Sequence, residues 1–479
     1  GHGCSVDWTY NQNKSELKLL TNHFPIFDFP NITPDLKIDG NDFTFSMKSL
    51  AGLDESDIFQ KLKVLTTEYQ NWINREKAKI SEIEESLIET ANKNFEKCEA
   101  CLNSIQEGIN FLKEDDKALK AFKLTNEAIL FQQLRGSVKK KSYEEMNNGY
   151  DLPNFDGYNS SKIGNWRPFQ IAFLLTSIKS SVLLNDDKRE DVELIFFPTG
   201  GGKTEAYLGL SAFTCFYRRL INPKDKGVQV LMRYTLRLLT AQQFMRASGL
   251  ICAMELIRMR ETQDLGEDSF SIGVWLGRDN TPNRNNVKSN NSPGALQIYS
   301  KLLSKTKETA YPFLITKCPC CASPIGKTTI NNQVKLIGLQ RENDEIQFIC
   351  ANKSCEFNDK KLPIYVVDED VYKYQPSIII GTVDKFVRIT WNSESKKIFG
   401  LNENGERELS PPSLIIQDEL HLITGPLGSM CGMYESLIED LCSHKQNGKV
   451  YKPKIICSTA TIRSFKSQIK DLYNRTNVN

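Results

Sequence analysis

The sequence predicts an α/β protein built on a parallel sheet flanked by helices, with a helical N-terminal region and a small cysteine-bearing insertion. Three observations predict it. Residues 193–204 read ELIFFPTGGGKT, an apolar run, a three-glycine turn and a helix start. Further short apolar runs at 228–232, 271–276, 377–381, 414–417 and 454–457 alternate with helix-like segments, the pattern of buried parallel strands with crossover helices. Residues 54–109 carry apolar residues at spacings of three and four, the period of a helix face.

Bulk properties narrow the class. A chain of 479 residues has room for about three domains. With 40% hydrophobic and 25% charged residues it has the composition of an ordinary globular protein. A net charge of +2 gives no whole-chain attraction for polyanions, so any nucleic acid must meet a local basic surface. Thirteen cysteines, several in close pairs, occur without a signal peptide or an 18-residue apolar run. That favours metal binding over disulfides and a cytoplasmic protein with no membrane partner. Gly1-His2-Gly3 lacks an initiator methionine and is set aside.

Residues 1–50 read as short strands and loop, with a hairpin across 39–42. Asp54, or Ser56 or Asp57, then caps a helical region, 51–150, in which neither Gly nor Pro interrupts the apolar stripe before Gly108. Unbroken, that first helix would be on the order of 80 Å long. A second helix follows over 116–134. The pair is either an arm for a partner or nucleic acid, or a hairpin packed as scaffold. Cys98 and Cys101 share one helix face with no second pair nearby, which favours core packing over zinc. Lys139 to Lys141 read as a solvated loop and 147–161 as a linker, so the nucleotide domain is expected over 151–479.

In that domain the strand–turn–helix at 193–204 has the order a phosphate-binding loop requires. Backbone N–H groups of Thr199, Gly200, Gly201 and Gly202 can close on phosphate oxygens without Cβ clashes, at a helix N-terminus that begins with Glu205. Lys203 would reach the β- and γ-phosphates, and the Thr204 hydroxyl would hold Mg²⁺. The strict pattern asks for glycine where Phe197 stands. The plainer reading is a glycine-rich loop before an ordinary helix. Upstream, Gln170 has the donor and acceptor that could read an adenine edge, or it faces solvent. Arg233, Thr235, Arg237, Gln243 and Arg246 lie at a strand-to-helix turn, suited to hold a phosphodiester backbone or merely to decorate a surface.

Cys318 and Cys321, then Cys350 and Cys355, flank a segment that alternates enough for a small hairpin. Two cysteine pairs on turns are the layout of a structural Cys₄ Zn²⁺ ribbon, here in an insertion over 284–376, with Cys320 a spare thiol. The alternative is a reduced cysteine-rich loop. Asp418-Glu419-Leu420-His421 ends the apolar run 414–417. Carboxylates there are costly unless a cation pairs them. Asp418 would hold Mg²⁺, Glu419 would act as general base on water, and His421 would link this acidic box to its neighbours. Solvated loop acids are the competing reading. Ser458, Thr459 and Ala460 end the last strand with hydroxyls suited to a hydrogen-bond relay.

This order of motifs, over about 160–475, resembles the first RecA-like domain of a superfamily 2 helicase of the DExH type. The resemblance implies ATP and Mg²⁺ as cofactors, and a nucleic-acid track that takes in Thr382 and Lys385. It also removes the objection of Phe197, because that superfamily needs only the T-G-x-G-K-T core. Residues 233–247 (RYTLRLLTAQQFMRA), 417–430 (QDELHLITGPLGSM) and 121–132 (AFKLTNEAILFQ) are further similar to the DrmA family, the helicase subunits of DISARM antiphage systems. The cysteine pairs and the GRDNTPN loop also look like that family, and Druantia helicases share some of the strings. The resemblance implies an ATP-driven motor on DNA, single-stranded or duplex with an overhang, acting with a DrmB-like subunit. A second RecA-like half is then expected in cis or in trans. Without it, this chain is expected to bind ATP weakly and hydrolyse it poorly. The competing function is an ATP-responsive scaffold that grips DNA or a partner without unwinding.

Overall fold

The computed structural model describes residues 6–10, 17–21, 36–38, 40–154, 163–196, 201–235, 237–277, 280–287, 293–304, 310–330, 333–459 and 464–479. The chain divides into two compact units, Gly1–Phe43 and Thr44–Asn479. The first holds two antiparallel pairs, Val6–Tyr10 with Leu17–Thr21 and Leu36–Ile38 with Asn41–Phe43. Gly40 turns the second pair at φ +81°, the left-handed backbone that a two-residue hairpin needs.

After a short strand, Phe45–Ser46, and a short helix, Met47–Gly52, the second unit continues with helices α1 (Glu55–Ala78) and α2 (Glu85–Glu114). They correct the expected single helix. A 3₁₀ turn at Ile80–Glu82 and an extended Ile83 reverse the chain, and Lys77 Nζ meets Glu99 Oε1 at 2.5 Å across the hairpin. The reason is burial. Ile58, Leu62 and Leu65 of α1, and Leu102, Ile105 and Ile109 of α2, leave water once the two helices lie together, whereas a straight rod would expose the whole stripe. α2 runs on through Gly108, where a Cβ would meet the Leu175 carbonyl oxygen at 1.9 Å. Glycine there lets α2 cross the next domain helix backbone to backbone.

α3 (Asp116–Gly136) starts at Asp115, whose carboxylate accepts from the Lys117 and Ala118 N–H groups at 2.8 and 3.0 Å. It is buried on most sides. α4 (Pro168–Val182) packs on α2, and Trp166 just before it donates to Asn126 of α3 at 2.7 Å. β1 (Val192–Phe196) and α5 (Lys203–Ile221) follow, then β2 (Val230–Tyr234) and α6 (Arg237–Arg260). α3 packs against both α5 and α6, so the helical region forms an extra layer on the helices of the sheet.

The remaining strands are β3 (Ile272–Trp275), β4 (Ile364–Tyr365), β5 (Ile378–Thr382), β6 (Leu414–Gln417) and β7 (Lys454–Thr459). α7 (Gly425–Cys442) joins β6 to the hairpin before β7, and α8 (Phe465–Tyr473) packs on α7. The sheet order is β4-β3-β5-β2-β6-β7-β1, parallel throughout. The fold is thus the expected α/β class. β2, β3, β5, β6 and β7 are buried at every position, which is why each read as an apolar run. Their register aligns the carboxyl ends: Phe196 lies beside Thr459, Cys457 beside Gln417, Gln417 beside Arg233, and Tyr234 beside Thr382.

Between β3 and β4 the chain forms a helix, Ala295–Leu303, and two antiparallel pairs, Gly326–Ile330 with Gln333–Ile337 and Leu339–Glu342 with Glu345–Phe348. One hairpin was expected there and two are present. Among the described residues no helix is long and apolar enough to cross a membrane.

Candidate nucleotide site and cysteine cluster

The aligned strand ends place the glycine turn and the acidic box side by side. Phe197, Thr199 and Gly200 lie outside the described residues, as does Ala460. Gly201 and Gly202 are described. Gly202 precedes α5 at φ +94°, and a Cβ on it would meet Gln170 Nε2 at 2.7 Å. Only glycine suits that position, by backbone conformation and by space alike. Gln170 is buried and its amide makes one contact on each side. Its Nε2 donates to the Gly202 carbonyl at 2.8 Å and its Oε1 accepts from the Arg167 N–H at 2.9 Å. Arg167 donates to the Gly201 carbonyl. In this arrangement Gln170 braces the turn.

Lys203 is buried and its Nζ donates to the Thr459 carbonyl of β7 at 3.2 Å. Thr459 Oγ1 lies 3.2 Å from His421 Nδ1, and His421 Nδ1 lies 3.3 Å from Glu419 Oε2. One chain of contacts therefore runs from the turn through β7 to the acidic box. A second is shorter. The hydroxyl of Tyr207, one turn into α5, donates to Asp418 Oδ2 at 3.0 Å and lies 3.2 Å from both Thr204 Oγ1 and the Tyr234 hydroxyl. Thr204 and Asp418, 214 positions apart in the chain by subtraction, thus flank one phenol oxygen.

Burial holds the Tyr207 and Tyr234 hydroxyls far above the usual phenol range, so both remain neutral donors. Asp418 Oδ1 accepts from the Glu419 N–H at 2.9 Å, and Glu419 itself sits at φ +50°. A non-glycine residue in that region costs about 1–3 kcal/mol and is kept where surrounding structure over-determines it. The donor set of hydroxyl and carboxylate oxygens fits a hard divalent cation, and a buried ammonium beside it fits a phosphate. Glu205 pairs with Arg246 of α6.

The expected nucleic-acid residues fare differently. Arg233 is 1% exposed and points into the core, where it pairs with Glu435 Oε1 of α7 at 2.5 Å and lies between the rings of Phe386 and Tyr473. Lys385 is 3% exposed and paired with Asp368. Thr382 is fully buried. These three do not reach a surface, which corrects their reading as backbone contacts: strands and turns buried on both faces turn even charged side chains inward. Thr235 and Gln243 are half-buried, and the Arg237 side chain lies outside the described residues. Ser458 is buried. At the same sheet edge Trp391 is 87% exposed and lines, with Arg388 and Met430, a groove of about 530 Å³. Sequence reading missed both this groove and Tyr207. The three-residue step from Thr204 to Tyr207 was the available signal for the second.

Cys318, Cys321, Cys350 and Cys355 are all buried, with their sulfurs within 4.8 Å of one another. Four thiolates about 2.3 Å from a central ion would be about 3.8 Å apart, so the group fits a tetrahedral metal. Cys321 lies 3.4 Å from Cys350, and hydrogen bonds from Cys318, Cys350 and Cys355 hold its thiol well below the usual range. Cys320 lies beside this group, within 4.8 Å of Cys355 and Glu356; its thiol donates to Glu356 at 3.3 Å, and Arg135 of α3 binds both Glu356 and the Cys320 carbonyl. Cys98 and Cys101 are half-buried and exposed, so neither belongs to a core, which corrects that expectation. Among the described residues they join no metal-holding group.

No family model matches the chain. It is 33% identical to the DISARM protein DrmA of Bacillus paralicheniformis, over 526 aligned positions covering 99% of this chain and 44% of the relative. The chain therefore spans less than half the length of the curated relative it matches. Solved structures with partial likeness include the DUF1998 helicase MrfA bound to DNA and AMPPNP, 14% identical with a TM-score of 0.34, over 66% of this chain and 27% of that one. Another is the DEAD-box helicase Mss116 bound to ssRNA and UDP-BeF, 11% identical with a TM-score of 0.33, over 64% and 38%. From the extent of the first match, the chain is a homologue of DrmA along nearly its whole length.

Proposed function

We propose that this chain is the nucleotide-binding half of an ATP-dependent helicase or translocase of an antiphage defence system, acting on DNA. The observation that carries the reading is the convergence of Thr204 and Asp418 on one phenol oxygen beside the buried Lys203. Thr204 and Asp418 would hold Mg²⁺, and the turn at 199–202 with Lys203 would hold the phosphates. Bound there, Mg²⁺–ATP supplies an activated phosphoanhydride for transfer to water. Glu419 would take a proton from that water, and His421, 3.3 Å from its Oε2, would keep its carboxylate oriented. Thr459, joined to both Lys203 and His421, would pass the state of the site along β7.

Homology to DrmA supports the defence setting; a DrmB-like subunit and a second RecA-like half would be the partners. The cysteine cluster would hold one structural Zn²⁺, a role supported by its closed set of four buried thiols. DNA would meet the strand-end edge. The division into strand/loop residues 1–50, helices 51–150 and nucleotide domain 151–479, with an insertion over 284–376, remains part of this reading.

The test is binding of a fluorescent ATP analogue with Mg²⁺ to three chains. Lys203→Ala should lower affinity at least tenfold, while Glu419→Gln should keep wild-type affinity and lose phosphate release once a second motor half is supplied. Equal phosphate release by Glu419→Gln and the parent would leave the scaffold reading in its place.

A further inference from the structure

Tyr207 belongs to no motif that the proposed nucleotide site uses, yet it touches both residues assigned to the cation. It is fully buried on α5, and its side chain leans towards the N-terminus of the helix, where its hydroxyl meets Thr204. A phenol oxygen offers one proton and two lone pairs. Asp418 as a carboxylate can only accept, so Tyr207 gives its proton to Oδ2. A lone pair can take the Tyr234 proton at 3.2 Å, while Thr204 Oγ1, also 3.2 Å away, lies as a second acceptor of the phenol proton. One phenol oxygen thus joins Thr204, Tyr234 and Asp418.

The assignment fixes directions. Asp418 is held at both oxygens, Oδ2 by Tyr207 and Oδ1 by the Glu419 N–H at 2.9 Å. Its carboxylate plane is therefore set before any cation arrives. Tyr234, at the end of β2, anchors the phenol from the sheet side.

From this we infer that Tyr207 is the positioning residue of the divalent-cation site, presetting the Asp418 carboxylate and keeping the Thr204 hydroxyl beside it, and that Tyr234 holds Tyr207 in place. The inference rests on the nucleotide-site reading above. Removing an outer partner of metal ligands typically weakens metal affinity by about 10–100-fold.

The test titrates Mg²⁺ into the full chain with a fluorescent ADP analogue and reads the Mg²⁺ midpoint for tight binding, alongside affinity without Mg²⁺ and thermal midpoint. Tyr207→Phe keeps the ring and its packing. It should raise the Mg²⁺ midpoint about tenfold and leave metal-free affinity unchanged. Tyr234→Phe, which keeps Tyr207 itself, should raise it by a smaller factor, about threefold, and gives a readout even if Tyr207→Phe does not fold. Where the parent responds to Mg²⁺ and neither variant shifts the midpoint, whatever happens to thermal stability, the positioning role is overturned and the nucleotide site stands. A parent chain whose analogue binding ignores Mg²⁺ overturns both.

Discussion

Replacing Arg233 with Met separates a core residue from a nucleic-acid contact. The guanidinium is buried, 2.5 Å from Glu435, and the Tyr473 hydroxyl lies 3.4 Å away. Burial pushes the Glu435 carboxyl up from its ordinary value, and Arg233 works against that rise. Arg233→Met removes the partner and leaves a buried acid that must either stay charged alone or take up a proton. Breaking a buried pair from one side costs about 3–5 kcal/mol, whereas replacing both partners with apolar residues is often neutral. Urea unfolding followed by tryptophan fluorescence should therefore show Arg233→Met destabilised by about 3–5 kcal/mol. Arg233→Met with Glu435→Leu should recover most of it. Oligonucleotide binding by the double variant should keep the parent's salt dependence, since a lost phosphate contact would lower that slope by about one. A single variant as stable as the parent, with a reduced salt slope, would refute the placement of Arg233.

Two further outcomes follow from the same structure. One Zn²⁺ per chain should be measured by a colorimetric chelator assay; Cys350→Ser should lose the ion and Cys320→Ser should keep it, because Cys320 is turned towards Glu356. Burial pushes the Asp370 carboxyl up to about 7, against a partly compensating hydrogen bond from Asn285. In the unfolded chain it ionises near its ordinary value, so the folded state binds more protons between these values and stability falls as pH rises through that window. Asp370→Asn should accordingly gain stability relative to the parent from pH 4 to pH 8, by on the order of 2–4 kcal/mol. A pH-independent difference in urea midpoints would contradict it.

The sheet was legible because strands buried on both faces are written as uninterrupted apolar runs, and the four cysteines because metal pairs keep short spacings. The meeting of Thr204 with Asp418 followed from the rule that parallel strands align their carboxyl ends. What sequence hid is what depends on direction or on a distant partner. In a strand such as β2 every position is buried, so no alternation says that Arg233 faces the core. Lys385 finds Asp368 on a different element, 17 positions back, which no local pattern records. The α1–α2 reversal uses neither Gly nor Pro and exists only because each helix buries the other's stripe. Cys98 and Cys101 looked like core residues because the helix face they share is apolar only nearer its C-terminal end.

The measurement that bears most directly on the nucleotide site is electron paramagnetic resonance of Mn²⁺ in the presence of a non-hydrolysable ATP analogue. It would be recorded for the parent chain, Thr204→Val and Asp418→Asn. The site described here predicts one Mn²⁺ bound per chain, coupled to phosphate phosphorus, with affinity falling in each variant. Mn²⁺ held equally well by all three chains would contradict it, because the glycine turn and the acidic box would then not share an ion.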